Sequence, residues 1–132
     1  MKTERMRWTG LVALIGALAV GGCSSSGPAR PAMISHVVLI ELSDPSLAGA
    51  LIADCDRHLT DIKEVRSYAS GQHLDTGRAT VQSDYDVGLY IGFDSVEDYA
   101  RYVEHPLHVE LVDRWRSRIA RMRVYDIGDP TP

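Results

Sequence analysis

The residues best suited to chemistry lie late in the chain, in the run Tyr102-Val103-Glu104-His105-Pro106-Leu107-His108. Histidine is the side chain most easily poised to exchange a proton near neutral pH. A tyrosine beside it can orient a substrate oxygen or donate to a developing oxyanion. His108 and Tyr102 are therefore a candidate pair for proton abstraction next to a carbonyl. The same residues have plain structural uses. His105 before Pro106 suits a helix N-terminus, and His108 can bond a backbone carbonyl. His36, inside the apolar run Met33–Ser43, reads either as a hydrogen-bonded core histidine or as a pocket wall.

Other chemistries find less support. His105-x-x-His108 has no third ligand nearby in sequence, and Pro106 alters its spacing, so no metal is expected. His58 and His73 stand in no ligand pattern and are expected at the surface. No Gly-rich phosphate loop, zinc spacing or nucleophile elbow is present, so no cofactor is expected. Cys55 lies between Asp54 and Asp56, which disfavour a thiolate, and reads as an inert helix cysteine.

These residues need elements to hold them, and 132 residues suffice for one domain. A net charge of −4 makes general nucleic-acid binding a poor fit. With 2 cysteines there is no disulfide scaffold.

Residues 1–22 read as an address. Lys2, Arg5 and Arg7 precede an uncharged run that is shorter than the roughly 20 residues of a membrane-spanning helix. The run ends Val20-Gly21-Gly22-Cys23, which resembles the lipobox of bacterial lipoproteins. Cleavage before Cys23 would leave its thiol carrying the lipid that holds the chain on a membrane. Residues 23–32, rich in Ser, Gly and Pro, would form a flexible tether. The alternative is an uncleaved N-terminal anchor, although Gly, Ser and Pro beyond Cys23 make a poor helix. The expected location is the cell envelope, and in a two-membrane cell the outer membrane facing the periplasm. Removing residues 1–22 takes three basic residues and one acid from 14 Lys+Arg and 18 Asp+Glu, leaving 11 and 17, a net of −6 over 110 residues.

Residues 33–128 predict strand, helix, strand, strand, helix, strand, with 129–132 as a tail. Met33–Ser43 is a strand with Ile34, His36, Val38, Ile40 and Leu42 on one face. Ser46–Lys63 has helical apolar spacing. Val65–His73 is a second strand, with Gly71 a candidate bulge. Tyr85–Asp94 alternates large Tyr85, Val87, Leu89, Ile91 and Phe93 with Gly88, Tyr90 and Gly92. Ser95 caps a helix expected to turn Val96, Tyr99, Ala100 and Val103 inward. Pro106 opens a further helix to Arg116, and Met122–Ile127 is the last strand.

The order βαββαβ is the α+β, ferredoxin-like pattern: a four-stranded antiparallel sheet with helices on one face. The other face, with Val37, Leu39, Gly88, Tyr90 and Gly92, is an unsuitable monomer surface. Packing against a second copy would cover it, so a homodimer is expected.

Ser35-His36-Val37-Val38-Leu39, Tyr85-Asp86-Val87-Gly88-Leu89 with Phe93, the Tyr102–His108 run and Val124-Tyr125-Asp126 together resemble the stress-responsive α/β barrel (Dabb) domain. The resemblance covers nearly all of residues 34–127. It implies a ferredoxin-like dimer whose two sheets make a barrel. In a plant branch of polyketide cyclases, a His and a Tyr form an acid/base pair between sheet and helices. By motif position that pair maps to His108 and Tyr102, with His36 lining the same pocket.

Two functions follow. One is a lipid-anchored dimer, stress-related as the family name implies, that binds a small apolar or aromatic ligand or a partner protein. The other is a cyclase- or lyase-like enzyme using His108 and Tyr102. The export signal favours the first. The cluster Arg114, Arg116, Arg118, Arg121 and Arg123 reads as a solvated face with local pairs, or as a contact for anionic lipid head groups.

Overall fold

The computed structural model describes residues 30–129. The expected signal peptide and the expected lipid attachment at Cys23 fall outside the described residues. Four strands form one antiparallel sheet: β1 (Ile34–Leu42), β2 (Ser67–Gln72), β3 (Val87–Phe93) and β4 (Ile119–Gly128), in the spatial order β2-β3-β1-β4. Three helices join them: α1 (Ala48–Leu59), α2 (Val96–Glu104) and α3 (Pro106–Trp115). The fold is ferredoxin-like α+β. Among the described residues no helix is long and apolar enough to cross a membrane.

Local signals explain the boundaries. The Asp44 side chain accepts from the Ser46 amide and caps a 3-10 turn, Pro45–Leu47, so α1 starts later than periodicity alone predicts. It also ends earlier, at Leu59 rather than Lys63. Ser95 caps α2 by accepting from the Asp98 amide at 3.0 Å. His105 is held extended before Pro106, as the proline ring requires, so α2 and α3 are two helices and not one. Its Nδ1 accepts from the Leu107 amide at 3.2 Å.

Inner and outer faces follow from strand register, because residues directly opposite share a face. His36, Val38 and Ile40 pair with Asp126, Val124 and Met122 on β4, and with Ile91, Leu89 and Val87 on β3. These residues face the helices. The large side chains of β3 are buried as its alternation predicts. Gly71 pairs in register with Gly88 and makes no bulge; the irregularity lies between Glu41 and Leu42.

Two further expectations are corrected. On α2, Tyr99 packs against the core as expected, but Val96 and Ala100 face solvent and Val103 is partly exposed, whereas Tyr102 is the buried residue. The inward stripe is thus shifted from the one expected. His58 is buried rather than at the surface, because α1 packs on α3; its Nδ1 donates to the Asp54 carbonyl at 2.8 Å. Asp54 also accepts from Trp115 Nε1 at 3.0 Å, tying the same two helices together.

The outer sheet face carries Val37, Leu39, Gly88 and Tyr90, joined by Tyr125 of β4 opposite Val37. The two glycines there have different surroundings. A side chain at Gly92 would meet Ala32, Ser67 and the Tyr90 hydroxyl, so this chain's own N-terminal segment makes the close approach. At Gly88 a side chain would only touch Leu39 and Tyr85.

Candidate functional site

Between the inner sheet face and the helices lies a cavity of about 510 Å³. That falls in the range of small-molecule pockets, roughly 300–1,000 Å³. His36, Tyr102 and His108 all line it, as do Tyr99, Leu111 and Trp115. The sequence-predicted residues therefore meet at one site, although they come from β1, α2 and α3. The partial exposure of Val103, Met122 and Val124 on its wall marks where the cavity opens, between β4 and the α2–α3 junction.

Tyr102 is only 2% exposed and packs against Phe93 and His108, with ring centroids 4.9 and 4.5 Å away. Its hydroxyl has no hydrogen-bond partner among the described residues. Burial, with Cys55 and Tyr99 adding to it, pushes its pKa well up, so it stays a neutral donor. His108 Nδ1 donates to the Val103 carbonyl at 2.9 Å. A carbonyl only accepts, so the proton sits on Nδ1 and the Nε2 lone pair is left without a protein partner. Burial lowers the His108 pKa; the Val103 bond opposes this, while His36 and His105 add to it. The ring is thus held in its neutral, basic form.

His36 is buried and its Nδ1 lies 2.6 Å from Asp126 Oδ1. The carboxylate accepts, which again places the ring proton on Nδ1. Tyr99 donates to the other Asp126 oxygen at 3.1 Å. Burial and this bond to the carboxylate raise the Tyr99 pKa. The Tyr99 ring lies 5.2 Å from that of His36. Neither Asp126 nor Tyr99 is recognisable from the sequence as a partner of His36. The register His36↔Asp126 is what brings the carboxylate to the ring.

The site chemistry is that of two imidazoles, the one of His108 held neutral, and a phenol on a largely apolar wall. It suits an oxygen-bearing apolar molecule: the phenol can donate to the oxygen, and an imidazole Nε2 can accept a proton. The two histidines of His105-x-x-His108 are engaged elsewhere through Nδ1, on Leu107 and Val103. Cys55 also lines the cavity, but burial and the carboxylates of Asp56 and Asp54 push its pKa to about 12, which leaves it a thiol.

Residues 34–129 match the family model described as Dabb, Stress responsive A/B Barrel Domain. Solved structures share the fold. A Dabb family protein with a ferredoxin-like fold from Mesorhizobium loti is 25% identical, covers 74% of this chain and 97% of its own, and has a TM-score of 0.63. A dimeric ferredoxin-like protein of unknown function from Thermobifida fusca is 20% identical, over 73% of this chain and 90% of that one, with a TM-score of 0.62. A hydroxynitrile lyase from Passiflora edulis is 17% identical, over 78% of this chain and 100% of that one, with a TM-score of 0.64. No curated protein matches the chain.

Proposed function

The chain belongs to the stress-responsive A/B barrel (Dabb) family, and from that premise we propose that it binds a small, mainly apolar or aromatic molecule in the cavity beneath its helices. The cavity carries this reading: it has ligand-sized volume and an apolar wall, and it holds a Tyr102 hydroxyl and a His108 Nε2 without protein partners. Unpartnered polar groups on an otherwise apolar wall cost stability unless something bonds them. A ligand oxygen would supply that bond.

A thermal-shift panel of benzaldehyde, acetophenone and 1-naphthol on the full chain tests the reading. At least one compound raises the melting temperature, and Val124→Trp, which narrows the opening, removes the effect. If no compound shifts the wild-type protein, the ligand-binding reading fails.

The chain works as a homodimer through its outer sheet face, with Val37, Leu39, Gly88 and Tyr90 against a second copy. Dimeric proteins of the same fold support this. A monomeric mass at micromolar concentration contradicts it. Cys23 carries a lipid that holds the dimer in the cell envelope, a reading that rests on Val20-Gly21-Gly22-Cys23. A Cys23→Ala variant that still fractionates with membranes after processing overturns it.

The His108 geometry favours a second reading, lyase- or cyclase-like proton transfer. His108 Nε2 takes a proton from the atom next to a substrate carbonyl, the electron pair moves onto the carbonyl oxygen, and Tyr102 donates a hydrogen bond to that oxygen. That a hydroxynitrile lyase shares the fold supports the feasibility of such chemistry on it. If His108→Ala leaves a detected activity unchanged, this reading falls while ligand binding stands.

A further inference from the structure

The cavity has two unlike ends. His36 and Ile40 both line it, and four residues of strand span about 13 Å. At the His36 end stand Tyr102 and His108. At the Ile40 end, where α3 passes into β4, stand Trp115, Arg116 and Ile119. Arg116 lines the cavity while its side chain remains 74% exposed, which puts it on the cavity's rim at this end. One of its N–H groups bonds the exposed Asp113 at 3.0 Å, and a guanidinium has five such donors. Arg118 is outside the cavity lining but lies over the Trp115 ring, 5.1 Å from its centroid, and has no carboxylate partner among the described residues. No Asp or Glu belongs to the cavity lining.

From this asymmetry we infer that the cavity is selective for an elongated amphiphilic carboxylate. Its carboxylate bonds the cavity-lining Arg116 at the Trp115 end, with Arg118 beside that end as a second cation, its apolar body lies along β1, and a hydroxyl or carbonyl oxygen reaches Tyr102 and His108. This rests on the ligand-binding reading above and names the ligand class. A cation finds no acid on the wall, and a neutral molecule leaves the remaining donors of Arg116 unused. Arginine is the side chain best matched to a carboxylate, through paired N–H donors.

Three probes of equal chain length separate the possibilities: 10-hydroxydecanoate, 1,10-decanediol and 10-aminodecan-1-ol. Calorimetric titration uses the full chain in neutral detergent, with detergent alone as blank. The acid binds about tenfold tighter than the diol, and the amine binds weakest. Arg116→Gln with Arg118→Gln brings the acid to the level of the diol and leaves the diol within about twofold of its wild-type affinity. Equal binding of acid and diol to wild type, or unchanged acid binding by the double variant, overturns the selectivity while the ligand-binding reading survives. If neither acid nor diol binds, this inference falls, while the ligand-binding reading stands or falls on its own thermal-shift panel. Val124→Trp weakens all three probes alike if they occupy the cavity; an unaffected acid overturns this placement of it.

Discussion

The Asp126 carboxylate accepts from His36 Nδ1 at 2.6 Å and joins two edges of the chain that lie 90 residues apart in sequence. The bond keeps a proton on Nδ1 of a buried imidazole and turns that nitrogen toward β4. Tyr99 braces the same carboxylate from α2, so ring, carboxylate and phenol are held by three elements.

Asp126→Asn tests that arrangement. An amide can take either hydrogen-bonding role, so the Nδ1–H tautomer of His36 is no longer enforced. Nitrogen NMR shifts of the ring move from a single Nδ1–H signature toward a mixture. Because Asp126 is half exposed, the stability cost is about 1 kcal/mol or less by denaturant titration.

His108 gives the fold a pH dependence of known sign. Its folded pKa lies below the ordinary histidine value, chiefly through burial. Above that value both folded and unfolded rings are neutral and stability is complete. As pH falls through it, the unfolded state takes up a proton that the folded state resists, so stability declines until the lower folded pKa is reached. Urea titrations between neutral and mildly acid pH show a shallower decline for His108→Gln than for wild type. Equal slopes contradict the assignment.

Cys55 is predicted to be inert despite its place on the cavity wall. Its thiol is held up to about 12, so almost no thiolate exists at pH 8. In a Cys23→Ser background, the rate of labelling by Ellman's reagent follows global unfolding as urea is raised. Rapid labelling of the native protein contradicts the burial seen here.

Where the sequence was legible, the cause was local. The alternation Val87, Leu89, Ile91, Phe93 fixes which face of β3 is buried, and Ser95 and Pro106 mark helix starts by their own backbone chemistry. The α2 stripe was misread because Tyr102 had been considered for its hydroxyl, whereas its ring is part of the core. His58 was misplaced because only the packing of α1 on α3 covers it. Asp126 escaped notice for the same kind of reason. It stands beside His36 only through the β1–β4 register, and nothing in its neighbours Tyr125 and Ile127 announces a partner so far back in the chain.

The central claim is that the polar corner of the cavity serves a ligand rather than the fold, and Tyr102→Phe tests it most directly. The substitution keeps the ring against Phe93 and His108 and removes only a hydroxyl that bonds nothing in the protein. The measurement is urea unfolding of wild type and Tyr102→Phe, each with and without a compound that stabilises the wild-type protein. Without ligand, the two unfold within about 1 kcal/mol of each other. With ligand, wild type gains stability by mass action, and the variant gains distinctly less. A variant clearly destabilised without ligand, yet equally stabilised by it, would show that the hydroxyl serves the fold and not the ligand.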